Sequence, residues 1–222
     1  SNNDHIVLDD DLTIDTFADP ASGNNHHSHI HVNGQILTVG RSLDTQNYMP
    51  ALDGPGTLIK NTTGTCTLNA EDEFTGSIIV SNGTLRFRAA AWDTTTLMTV
   101  LDGATALISE PGPSFPTNIH INGNGYNNEG ALEFSGPNDS CDSDITVVSD
   151  SKMDRNSGTT TLTGDIDGSG ELTLEGPGLW ILGGTGVTYT NTLIITDGTV
   201  QVTGNYPNLL NILVDSGGVL EA

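Results

Sequence analysis

Residues 53–87 read DGPGTLIKNTTGTCTLNAEDEFTGSIIVSNGTLRF, and residues 167–202 read DGSGELTLEGPGLWILGGTGVTYTNTLIITDGTVQV. Gly54, Gly56, Gly64 and Leu68 of the first stretch correspond to Gly168, Gly170, Gly178 and Leu182 of the second at a constant offset of 114. After one inserted residue, Phe74, Thr75, Ile79, Gly83 and Thr84 correspond to Tyr189, Thr190, Ile194, Gly198 and Thr199 at 115, and Leu97, Asp102 and Leu107 to Leu210, Asp215 and Leu220 at 113. Residues 167–222 are thus a second copy of residues 53–109. Repetition on this scale marks an array of stacked units that cannot bury their apolar faces singly.

A shorter beat runs inside each copy. A glycine precedes a run of alternating residues in GTLIK at Gly56, GTLRF at Gly83, GATALI at Gly103, GALEF at Gly130, GELTL at Gly170 and GTVQV at Gly198. Alternation sends Leu85 and Phe87, or Val200 and Val202, to the same side of a strand. The glycines supply the positive φ that a tight corner requires. Asn-Gly corners would also serve the hairpins of a meander or sandwich. The spacing decides between them: most intervals are 20 to 28 residues, the length of one coil of a parallel β-helix. The expected fold is all-β, a single-stranded parallel β-helix (solenoid) of about 8–9 coils with little or no helix. One domain spans 1–222, with an insertion at 15–52 that the second copy lacks.

Composition agrees. The 222 residues include 30 Thr, 27 Gly and 20 Asn, which suit strands and turns better than helices. Only 6 Lys and Arg stand against 28 Asp and Glu, a formal charge of -22. Such a surface repels nucleic acid and anionic membranes, and no apolar stretch approaches the ~20 residues of a membrane-crossing helix. The numbering opens at Ser1 without an apolar leader, which suggests a processed, exported chain with an extracellular or cell-surface location.

The pattern GxGxLxxxxxGxxxLxxxxxFTGxxxVxxGTLxx resembles the autotransporter-associated, or passenger-associated, β-strand repeat of long secreted bacterial β-helical proteins. Both copies fit it, at Gly54 to Phe87 and at Gly168 to Val202, and the lead-in DITVVSDSKMDRNSGTTTLTGDIDGSGELTL is similar to that family. The resemblance implies a right-handed parallel β-helix carried at the cell surface.

Candidate chemistry lies in two places. In NNHHSHIHVNG, alternation turns Ile30 and Val32 to one side and His27, His29 and His31 to the other, where imidazoles ~6.8 Å apart could hold zinc, copper or nickel. A polar outer strand face is the competing reading. In NDSCDSD, Asp139, Asp142 and Asp144 crowd what reads as a loop and offer hard oxygen ligands for calcium, against a plain solvated turn. No cofactor is required by either. Cys66 and Cys141 pair only if the fold brings them together. Asn61, Asn82 and Asn138 open three glycosylation sequons.

Catalysis is not expected. Polysaccharide-degrading β-helix enzymes need converging carboxylates or a base beside calcium, whereas the cations Arg41, Lys60, Arg86, Arg88, Lys152 and Arg155 are scattered along the chain. The expected role is structural. A solenoid end without a cap offers unpaired N–H and C=O groups, and both HIVLDDDLTID and the final VLEA look uncapped. Head-to-tail stacking of such ends need not close. The chain is therefore expected to be the subunit of an extracellular fibre or surface layer, a homo-polymer through its ends. The alternative is an adhesin or passenger stalk fragment presenting loops to glycans or a host surface.

Overall fold

The structure is a computed structural model that describes residues 5–14, 29–40, 47–68, 73–88, 95–109, 116–184, 188–209 and 211–221. It is a parallel β-solenoid of about 8 turns. Apart from one short 3-10 turn, Tyr126–Asn128, every regular element among the described residues is a strand.

Each coil is three-sided. On the first face, Leu12–Ile14, Ile36–Gly40, residues 57–60, residues 77–80, Leu97–Val100, Asn118–Gly123, residues 144–147 and Ile166–Gly168 pair in parallel, each with the strand one turn on. The second face stacks Asn47–Tyr48, 65–68, 83–87, Ala104–Ile108, Leu132–Phe134, 151–155, Leu172–Glu175, 192–195 and 211–214. The third face holds His5–Val7, His29–His31, Ala51–Gly54 and Glu73–Phe74, and later Asn138–Cys141, Thr159–Leu162, Leu179–Leu182, 199–202 and 217–221. Beyond Glu73–Phe74 the stack continues through the Thr95 hydroxyl, which donates to the Phe74 carbonyl at 3.1 Å, and the Thr117 N–H, which donates to the Thr95 carbonyl at 3.1 Å.

The sequence alternation becomes interior ladders. Leu37, Leu58, Ile78, Met98, Ile119, Ile145 and Ile166 stand directly above one another, all buried. On the second face Cys66, Leu85, Ala106, Leu132, Met153, Leu174 and Ile195 do the same. In parallel sheets stacked this way each buried aliphatic side chain removes ~1.5–3 kcal/mol of apolar surface from water, and a coil achieves this only with neighbours on both sides. Phe134 and Trp180 close the core between coils, edge to face at 5.7 Å.

Within the 15–52 insertion, His29–His31, Ile36–Gly40 and Asn47–Tyr48 supply one strand to each of the three faces, a complete turn. The internal repeat is out of phase with the winding. Ile79 lies on the first face and its counterpart Ile194 on the second. Thr84 lies on the second face and Thr199 on the third. The copies are related by a shift of one face, because a strand with a glycine corner and alternating apolar residues suits any side of the coil.

Cys66 and Cys141 are both buried and free, one on the second face and the other on the third.

Candidate functional site

On the outside of the third face, alternation buries Ile30 and leaves His29 and His31 partly exposed on the outer side. His31 is in register with Asp53 on the next strand, and its Nδ1 is hydrogen-bonded to the Asp53 carboxylate. The ring lies over Gly54, where a Cβ would stand 2.5 Å from Cε1; any other residue there would displace the imidazole. His27 lies outside the described residues.

The three aspartates of NDSCDSD are not brought together. Asn138–Cys141 is a strand, so Asp139 points inward and is buried while Asp142 and Asp144 face solvent. The Asp144 carboxylate accepts the backbone N–H of Asp165 at 2.9 Å. Asp139 receives Arg155 Nη1 at 3.2 Å. Nη1 also donates to Thr160, and Nη2 donates to the carbonyl of Gly136 at 2.9 Å. Burial raises the Asp139 pKa, and the guanidinium beside it draws it back.

A further polar cluster among the described residues was not singled out in the sequence. It lies on the outside of the second face, where Arg86, Leu107, Glu133, Asp154 and Glu175 are in register on successive coils. Lys152 projects among them, 2.9 Å from Glu175 and 3.7 Å from Asp154, and also donates to the Asn128 carbonyl. Residues 124–130 cover this place. The Thr105 hydroxyl pins them by donating to the Gly130 carbonyl at 2.7 Å and accepting the Tyr126 N–H at 2.9 Å. The coil length of about 21 residues could have revealed the ladder, since 133, 154 and 175 are separated by 21 each.

Burial moves the Glu133 carboxyl from 4.5 up to about 7, with Glu129 and Asp154 adding to the rise and the Asn156 amide, 2.7 Å away, opposing it. The folded chain therefore holds a proton between these pH values that the unfolded chain has released. Stability from this group is greatest below about pH 4.5 and falls as pH climbs through about 7. Glu133→Gln is expected to flatten this decline and to stabilise the protein at pH 8 by about 2 kcal/mol. Urea unfolding of both proteins at pH 4, 6 and 8 checks it; parallel curves would refute the assignment.

Among the described residues no three His, Cys, Asp or Glu side chains form a metal-binding group, and no helix is long and apolar enough to cross a membrane. Among the sequon asparagines, Asn61 and Asn138 are exposed and Asn82 is half-buried.

Architecture and surface together define the class: a parallel β-solenoid with an apolar interior and polar outer ladders. Comparison with protein-family models, curated proteins and solved structures found no match. The β-strand-repeat resemblance is therefore carried by its glycine and aliphatic pattern and by the solenoid that the pattern builds.

Proposed function

We propose that this chain is a structural solenoid of an extracellular fibre or surface layer, joined end to end with further copies of itself by β-augmentation. The supporting observation is the coil formed by Asn211–Glu221. Ile212, Val214 and Leu220 are in register with Leu193, Ile195 and Val200, all buried core residues, yet are themselves 38%, 42% and 38% exposed. They have the side-chain orientation of a core and lack, among the described residues, a layer above them. A coil stacked on this edge would complete the backbone ladder and the apolar stack in one step. Ile6, in register with the buried Ile30, is likewise 53% exposed on the His5–Val7 strand, with no layer beyond it among the described residues. A heterologous contact between two such unlike edges propagates without closing.

The charge of -22 opposes stacking at low ionic strength, and salt screens it. The full chain is expected to form rods or polymers that lengthen between low and physiological salt, seen by sedimentation velocity and negative-stain microscopy. Leu220→Asp, which places a charge in the open stack, should leave shorter or monomeric species. A wild-type chain that remains monomeric at every salt and concentration tested would overturn the reading and favour a stalk segment covered by further coils of its own longer chain.

A further inference from the structure

The outer side of the third face carries a second, separate chemistry. His29 and His31 leave the same side of one strand, ~6.8 Å apart at their Cα atoms. Two nitrogens bound to a single tetrahedral zinc stand about 3.3 Å apart, a separation within the reach of imidazoles two residues apart on one strand face. His31 is already prepared for this. Its Nδ1 is occupied by Asp53 Oδ1, which leaves Nε2 as the coordinating nitrogen and fixes the plane of the ring, the carboxylate–histidine arrangement that supports metal ligands. Gly54 gives the ring its room. Asp53 is in turn in register with Glu73, so the strip around the imidazoles is anionic and favours a cation.

We propose that His29 and His31, with Asp53 as the residue that positions His31, form a surface site for a divalent transition metal of the zinc, nickel and copper class. The described residues contain no third preformed ligand, so solvent fills the rest of the coordination shell. The site lies on the outer side of the coil, one strand in from the His5–Val7 edge, and faces away from the core.

The test is calorimetric titration of the full chain with zinc chloride and, separately, nickel chloride. One site per chain is expected. His29→Gln and His31→Gln should each weaken it at least tenfold. Asp53→Asn should weaken it about tenfold while the metal-free melting midpoint stays within a degree or two of wild type, a split that a merely structural role for Asp53 would not give. The proposal fails if the wild-type chain binds neither ion, or if binding survives both His29→Gln and His31→Gln, which would assign it to His26 and His27.

Discussion

Arg155→Met is expected to destabilise the folded chain by about 3–5 kcal/mol, because it strands a buried carboxylate. The guanidinium is fully buried at the corner that follows the second face. It lies under Gly178, where a Cβ would come within 2.6 Å of its Cδ and Nε. Its donors meet Asp139, Thr160 and the Gly136 carbonyl, and the Asp139 side chain is only 1% accessible. Methionine fills much of the volume but supplies no charged donor, so Asp139 must either stay charged without its cation or take up a proton. Asp139→Asn combined with Arg155→Met should recover a large part of the loss, since the amide carries no charge to strand. Denaturant unfolding followed by circular dichroism measures the double-mutant cycle. A single-variant loss below about 1 kcal/mol, or a coupling indistinguishable from zero, would contradict the buried-pair account.

Lys60→Met is the second large effect, expected near 3 kcal/mol from three buried carbonyls left without a donor. Lys60 occupies an interior ladder between Val39 and Val80 and is fully buried. Its ammonium donates to the carbonyls of Thr62, Gly64 and Asn82, the last two at 2.6 and 2.7 Å. Three N–H groups meet three acceptors at the corner where the chain turns from the first face to the second. Burial lowers the amine to about 8, so at neutral pH the three-donor form still prevails. Gly83, at φ +65, crosses this same corner one coil on, and a Cβ there would stand 2.2 Å from the Thr62 carbonyl and 2.5 Å from Nζ. A methionine variant with wild-type urea midpoint at pH 7 would show that the corner carbonyls find other donors.

Much of this architecture was legible in the residues. Leu58, Ile78 and Met98 share a side with the residues two further on, Lys60, Val80 and Val100, and the glycine beat sets the coil length, so the solenoid and its interior follow from period alone. The same alternation puts Lys60 in phase with Leu58 and Asp139 in phase with Cys141, but a charged residue inside a strand contradicts ordinary burial preference and reads as surface until its partners are seen. Those partners are brought near by winding: Arg155 follows Asp139 by 16 residues, and Asn82 follows Lys60 by 22. Which side of the coil each repeat occupies was not legible, since Ile79 and Ile194 sit in matching local sequence on different faces. The loop expected at Asn138–Cys141 is a strand because Arg155 neutralises the one aspartate that enters the core.

Interchangeable sides carry a hazard for a chain finding its way to this structure. A segment laid down one side early or late would still bury most of its aliphatic residues, and a misthreaded tube would be nearly as greasy inside as the true one. Lys60 and Arg155 break that degeneracy: in any other threading the ammonium loses its ring of carbonyls and the guanidinium its carboxylate, each a heavy cost in an oily cavity. The two cations thus act as keys, admitting a single winding from many that greasiness alone would tolerate.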